Sequence, residues 1–387
     1  MSNFTIEPHR AADLLSDLVA LQTVNPMGRS YDRAIPVERP VIEYLERLFA
    51  PYGVSTIRQT CSPIHESLLI TVPGRSDSPG TLFESHIDTV PADDWTDTAF
   101  VPRIEGNKFY GRGACDDKGS LAGMVLALLQ VLESGEPPPA TVWLLAAGDE
   151  EYGQSGIRHF MAQSTLPLGR GIFGEPTGCL PVIQQKGVLR WDVTVRGHSA
   201  HTSQPELGRN AILDMFRVVQ ELALHQVELR ERYHNPLTGG PTITVTMIHG
   251  GRTRNAVPDE CNIAVDFRIA PEMDRAHAFA ELQARLHELQ IPLIHSDFQC
   301  YVPGLQTAAT DPLVLRALEI CGNELSQSVA PAGAPYGSDA CWMPSGAPAI
   351  VLGPGNIAQA HAVNEFIDLA EVRHATSIYH QLMRQAW

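Results

Sequence analysis

The chain is short of positive charge. Its 387 residues include 28 Lys+Arg against 44 Asp+Glu, a formal charge of −16. Such a surface argues against nucleic acid or an anionic membrane as a partner. Paired cysteines are also missing. The seven are Cys61, Cys115, Cys179, Cys261, Cys300, Cys321 and Cys341, an odd number with no CxxC. They read as reduced thiols in a cytoplasmic protein, with Cys115 and Cys179 as small buried fillers. No apolar run reaches the length of a membrane span. The opening MSNFTIEPHRAADLL lacks a basic stretch followed by an apolar one, so no secretory signal is expected. Internal repeats and low-complexity segments are absent too.

What is there is enough for two domains. Hydrophobic residues at 44% and charged residues at 19% fit a globular chain. Residues 9–23 and 37–50 carry apolar residues at helical spacing. HESLLITVPG and GTLFESHIDTV read as strands, and KGSLAGMVLALLQVLESG as a helix ending at Gly135. TVWLLAAG is a buried strand, SGIRHFMAQS a short helix, and RGIFGEPTG a strand and turn. Alternating strands and helices predict an α/β domain, a mostly parallel sheet with helices on both faces. The texture then changes. VIQQKGVLRWDVTVRG, GPTITVTMIHGG and CNIAVDFRIA alternate in period two, with helical stretches between and after them. Strand, helix, strand, strand, helix, strand predicts an α+β, ferredoxin-like unit at 185–301. Helix and strand return after YVPG, and a helix at 370–386 closes the chain. The unit at 185–301 is therefore expected as an insertion into a domain formed by 1–184 and 302–387.

Five side chains of metal-binding type sit at the ends of short apolar runs. They are His86 in SHIDTV, Asp116 in GRGACDDKG, Glu151 in GDEEYG, Glu175 in GEPTG and His361 in QAHAVNEF. Two imidazoles and three carboxylates suit two divalent ions sharing one carboxylate, with zinc the commonest choice and cobalt or manganese as alternatives. A further carboxylate, Glu150, stands beside Glu151. Asp88 lies two residues after His86 and can hold its ring. Each signal is weak alone. An H-x-D pair can be a satisfied strand-end histidine, Asp116 a helix cap, Glu150 and Glu151 an exposed acidic turn. GRGACD also resembles a dinucleotide loop, but Asp116 stands where the third glycine should be, which disfavours a nucleotide-binding oxidoreductase. Joint occurrence at strand ends decides, because open α/β sheets bind ligands there.

SHIDTVP, GRGACDDKG, DEEYGQSG, GEPTG, GHSAHTSQPELGRNA and GGRTRNAVPDECNIAVDFR together resemble the dinuclear metallohydrolases that include acetylornithine deacetylase, succinyl-diaminopimelate desuccinylase and glutamate carboxypeptidase. The resemblance covers nearly the whole chain. It implies a zinc-dependent catalytic domain with an inserted dimerisation or lid domain, hence a homodimer. His86 and Glu175 would hold one metal, Glu151 and His361 the other, and Asp116 would bridge them. Asp88 would orient His86, and a cis peptide would follow Asp116. Glu150 would be general base and acid for attack by a metal-bridging hydroxide. His201 resembles the lid histidine that reaches the partner's site, and Asn255 and Arg268 match positions that bind a substrate carboxylate. His198 reads as structural or exposed, and Arg254 as an exposed arginine, with contact to an anionic substrate as the alternative.

Glu175 in GEPTG is similar to the deacylases and glutamate carboxypeptidases, where aminopeptidases tend to have Asp. Asp117 departs from the Met of many deacylases. The implied activity is cleavage of an N-acyl-L-amino acid. A metallo-carboxypeptidase or dipeptidase is the alternative, and a metal-free binding or regulatory relative a remote one.

Overall fold

A computed structural model describes residues 8–93, 95 and 98–387. The chain begins with helices α1 (Pro8–Ala20) and α2 (Arg39–Phe49). Strands β1 (Ser55–Thr60), β2 (Glu66–Val72) and β3 (Gly80–His86) follow. Then come α3 (Lys118–Glu133), β4 (Val142–Ala147), α4 (Ser155–Gln163) and β5 (Leu168–Phe173). The inserted segment contributes β6 (Gly187–Arg196), α5 (Ala211–Arg232), β7 (Thr242–Gly250), β8 (Glu260–Ile269), α6 (Arg275–Glu288), β9 (Leu293–His295) and β10 (Cys300–Val302). Helix α7 (Pro312–Leu325), strand β11 (Ala349–Val351) and helix α8 (Leu369–Met383) complete the chain.

The first unit is 1–183, 307–332 and 338–387, within which the described residues form a mixed sheet in the order β1-β2-β4-β3-β5-β11. Its centre is parallel: β3 pairs with β4 and β5, and β11 with β5. The antiparallel β1–β2 hairpin forms one side. Buried on both faces, β3 and β4 carry unbroken runs of buried residues. Helix α3 is apolar almost all round and buried from Lys118 to Leu129. It runs against α8 at Gly123, where an added Cβ would stand 3.1 Å from the Tyr379 ring. Tyr379 in turn sits edge-on to Phe83 and donates to the Leu352 carbonyl at 2.6 Å. This packing fixes the strand ends that carry the site.

The second unit has the expected element order, with β6 and β7 both antiparallel to β8 and its sheet ordered β7-β8-β6-β9. The buried positions of β8 are Cys261, Ile263, Val265, Phe267 and Ile269, every second residue. They pack with Met215, Val218 and Leu222 of α5 and Leu282 and Leu286 of α6. Its limits differ from the sequence expectation of 185–301. It runs Gln184–Gln306 and takes in Gly333–Gly337. The short strand β10 pairs with β6 and carries the chain past 301. Gly333 lies so close to Leu237 that no side chain fits there.

Cys61, Cys115, Cys179, Cys261 and Cys321 are free thiols. Among the described residues no helix is long and apolar enough to cross a membrane.

Candidate metal centre

Three parallel strands, β3, β4 and β5, end side by side, with His86 opposite Ala147 and Glu84 opposite Phe173. The turns beyond them carry Asp88, then Glu150 and Glu151, then Glu175. Asp116 comes from the loop before α3, and His361 from the loop after β11. Gly174 has to be glycine because a side chain there would run into the Asp117 carboxylate. Asp149 and His361 adopt left-handed backbone, with φ of 64° and 59°, a conformation non-glycine residues hold mostly where the surroundings impose it.

The five sequence-derived residues converge. His86 Nε2 is 3.0 Å from Asp116 Oδ1. His361 Nε2 is 3.3 Å from Asp116 Oδ2 and 3.0 Å from Glu151 Oε2. Asp116 thus offers one oxygen to each imidazole. Donor atoms of His86, Asp116 and Glu151 lie within 4.8 Å of one another, as do those of His86, Glu150 and Glu175. Glu150 therefore stands close enough to the cluster to be a ligand as well as a base. Its Oε1 accepts from Gln154 Nε2 at 3.1 Å, and Gln154 Oε1 accepts from Trp342 Nε1 at 2.9 Å. The Asp116–Asp117 peptide is cis.

Asp88 acts through a different atom than expected. β3 ends at His86, so the two-residue strand periodicity stops before Asp88. His86 Nδ1 lies 3.0 Å from the Asp88 backbone carbonyl but 3.6 Å from its carboxylate. The carboxylate instead accepts the backbone N–H groups of Glu150 at 3.0 Å and Glu151 at 3.3 Å. Asp116 caps no helix. Asp117 holds the N-cap position of α3 without a side-chain cap bond, and its carboxylate takes the Ser85 hydroxyl at 2.6 Å.

One residue of the centre had no sequence signal beyond an acid in NEF. Glu365 is fully buried. It accepts the N–H groups of Cys115 and Asp116 on one oxygen, and Gly113 N–H and the Arg112 guanidinium on the other, all between 2.8 and 3.0 Å. It is what shapes the Asp116 loop.

The electrostatics call for a cation. Burial pushes the Glu150 carboxyl up to about 8, with the Glu151 and Asp88 charges adding to it. Burial raises Glu175 and Glu151 as well, and the Asp116 charge adds to both. Burial alone would also raise Asp116, yet hydrogen bonds from His361 and His86 hold it below its ordinary value. Hydrogen bonds to Asp116 and Glu151 push the His361 imidazole to about 10. Among the described residues no lysine or arginine pairs with Asp116, Glu150, Glu151 or Glu175. Glu151 Oε1 is buried with no hydrogen-bond partner. Buried carboxylates in this state are costly unless a cation joins them. The mixed imidazole and carboxylate donors, one of them orphaned, fit a divalent metal.

The three lid-type residues lie in the second unit. His201 is exposed, and its Nδ1 accepts the Ser203 N–H at 3.2 Å and lies 2.7 Å from the Ser203 hydroxyl. Asn255 is exposed and bonds Thr202 through its backbone carbonyl. Arg268 is half-buried and shares Asp266 with Arg190, at 2.8 and 2.6 Å. His198 is exposed and pairs with Arg209 through backbone alone.

A carboxylate-rich set of metal-ligand side chains at the carboxyl ends of a parallel sheet is the arrangement of a metal-dependent hydrolase. Residues 82–385 match the sequence model of Peptidase family M20/M25/M40, and the chain belongs to that family. It is 32% identical over 387 residues to an acetylornithine deacetylase of Photorhabdus laumondii, spanning 96% of each chain. It is 30% identical over 385 residues to an acetylornithine deacetylase of Vibrio vulnificus, spanning 96% of this chain and 97% of that one. The fold matches a tripeptidase from Staphylococcus aureus with a TM-score of 0.79, at 19% identity and 98% of each chain. It matches an M20 family metallo-carboxypeptidase from Sulfolobus solfataricus with a TM-score of 0.77, at 18% identity, over 97% of this chain and 98% of that one. The protein is an enzyme that hydrolyses amide or peptide bonds with the help of metal.

Proposed function

We propose that the protein removes the acyl group from an N-acyl-L-amino acid, using two divalent ions, zinc first among them. The observation that carries this is the convergence of His86, Asp116, Glu151, Glu175 and His361 at the strand ends, with Glu150 beside them. Near-full-length similarity to acetylornithine deacetylases favours a deacylase over a carboxypeptidase or dipeptidase.

In this reading His86 and Glu175 would hold one ion, Glu151 and His361 the other, and Asp116 would serve both. Bound there, the ions would polarise the scissile carbonyl and acidify a water. Glu150 takes a proton from the attacking water and passes it to the leaving amine. A carboxyl raised close to neutral pH suits both transfers. Gln154, anchored by Trp342, aims Glu150. The partner subunit's His201 would stabilise the negative charge that develops on the carbonyl oxygen. Nδ1 of His201 accepts from Ser203 N–H, which leaves Nε2 as the ring atom available to a substrate. Asn255 and Arg268 would meet the substrate's carboxylate.

That role for His201 requires a homodimer through the second unit. Leu213, Phe216, Leu224 and Val227 form an exposed apolar stripe along α5. Beside it, β7 is an edge strand with Met247 and Ile248 exposed. The expected location is the cytoplasm.

The test is a panel of N-acetyl, N-succinyl, N-formyl and N-aroyl amino acids, run beside dipeptides and acylglutamates. Metal-dependent release of free amino acid from one N-acyl class supports the deacylase. Turnover of dipeptides or acylglutamates alone moves the protein to the peptidase branch.

A further inference from the structure

Behind Glu150 lies a buried polar chain that the metal cluster does not use. Asn25 follows α1, Glu38 precedes α2, His65 precedes β2, and Asp149 follows β4. All four are at least nine-tenths buried. The Asn25 amide nitrogen donates to Asp88 Oδ2 at 2.8 Å and to Asp149 Oδ1 at 3.0 Å. One NH2 group thus sits between two carboxylates. Its carbonyl oxygen accepts Met27 N–H at 2.9 Å, which settles which end of the amide faces the acids. On the far side, His65 Nε2 lies 3.4 Å from the same Asp149 oxygen, and its Nδ1 is 2.7 Å from Glu38 Oε1. Glu38 Oε2 accepts Glu66 N–H at 2.9 Å.

The Asn25 segment is itself fixed. Asn25 N–H donates to the Thr89 carbonyl at 2.9 Å, and Thr89 N–H to Thr23 at 3.0 Å. Asn25 is therefore registered against Asp88, and Asp88 holds the backbone N–H groups of Glu150 and Glu151. Asp149, clamped from two sides, is the left-handed residue that turns the chain into Glu150. Three buried carboxylates are tied here by one amide and one imidazole. Such networks fix a geometry when every member is satisfied and disrupt it when one is removed.

We infer that Asn25, backed by His65 and Glu38, positions the Glu150–Glu151 turn, and so sets the aim of the acid/base carboxyl and of its neighbouring ligand. This rests on Glu150 being the acid/base. Asn25, His65 and Glu38 are positioning residues, since they reach the turn only through Asp88 and Asp149.

The decisive variant is Asn25→Asp. It keeps the acceptor for Met27 N–H but puts a third carboxylate between Asp88 and Asp149. His65→Gln, which keeps a donor toward Asp149, is the milder companion and serves if Asn25→Asp does not fold. Three quantities are read on folded protein: kcat and KM on N-acetyl-L-ornithine or the best substrate of the panel, Co2+ affinity by visible absorption, and Tm. With Asn25→Asp, kcat should fall about 10- to 100-fold, the range for partners that orient a metal site. KM should stay within about threefold, and Co2+ affinity should fall about tenfold. His65→Gln should show smaller losses in the same direction. A lower Tm with wild-type kcat and Co2+ affinity would reduce the network to packing and overturn the inference. Co2+ affinity decides even where no substrate of the panel is cleaved. Glu150→Gln separates the two failures. If it turns over like wild type, the acid/base reading fails. If it is inactive while Asn25→Asp and His65→Gln behave as wild type, only the positioning role fails.

Discussion

The two units handle charge in opposite ways. In the second unit the acids near the sheet and helices meet arginines at the surface. Asp266 lies between Arg190 and Arg268, Glu221 and Glu228 share Arg285, and Arg196, Arg209 and Arg232 pair with Glu260, Asp214 and Glu281. Its main core cluster is apolar, with His225 the one fully buried polar side chain on α5. In the first unit, carboxylates crowd the strand ends, and among the described residues no lysine or arginine answers those of the cluster. Screened surface pairs contribute little and demand nothing. Buried unpaired carboxylates demand a cation, and the fold holds them in place for one. One unit answers its carboxylates from within its own chain, while the other is completed by what it binds.

Removing metal should expose that difference most strongly. Exhaustive chelation is expected to abolish hydrolysis. It should also lower the Tm of the first unit, because ions that bind only the folded chain stabilise it by about 2.7 kcal/mol at 100 times Kd. That corresponds to roughly 5 °C or more for a unit of this size. Calorimetry with and without chelator checks it, and a Tm indifferent to metal would contradict the contrast. Next in size is Glu150→Ala. Its kcat should drop about 10^2- to 10^4-fold, the usual worth of a general acid/base, with metal content unchanged. Loss of metal from this variant would instead make Glu150 a ligand, a place its distance to His86 and Glu175 permits.

The ligand-type residues were legible because they recur at the ends of apolar runs, and parallel strands bring such ends together. The order of elements in both units was legible from periodicity for the same reason. Asn25, Glu38, His65 and Glu365 were not. Each is a single polar residue in a separate segment, and nothing local says that it is buried or what it faces. Asp88 shows the limit from the other side. Period-two spacing placed it with His86, but the strand ends at His86, so its carbonyl meets the imidazole and its carboxylate the next turn. The limit of the second unit was missed by a few residues because β10 has only three.

A third prediction tests the surface of the unit that answers its carboxylates from within. Phe216 and Leu224 on α5 are 67% and 52% exposed, so charging them should leave the unit folded. Phe216→Glu with Leu224→Glu should shift the mass by light scattering from a dimer to a single chain. If the variant stays dimeric, the stripe is not the interface. If the wild type is monomeric, His201 cannot serve a partner's site.

The smallest effect expected lies inside that same unit, at one buried and one half-buried histidine. His225 on α5 is fully buried with neither ring nitrogen bonded. Burial pushes its imidazole below the ordinary 6.5, and the nearby Arg285 charge acts in the same direction. His295 Nδ1 accepts from Trp191 Nε1 at 3.1 Å, and burial lowers this imidazole too. Both rings favour the neutral form in the folded unit more than in the unfolded chain. In the unfolded chain they take up protons as pH falls through about 6.5, while in the fold they do not until lower pH. Protons therefore favour unfolding in that window, and stability declines as pH drops below about 6.5. The decline should be shallower in His225→Leu, which removes one of the two groups. The measurement is the difference in unfolding free energy between pH 7.5 and 5.5, wild type against variant, with chelator present so that metal release does not contribute. Equal differences would mean that the His225 ring finds a proton acceptor or solvent in the folded state, and the second unit would then carry no electrostatic debt of its own at mildly acid pH.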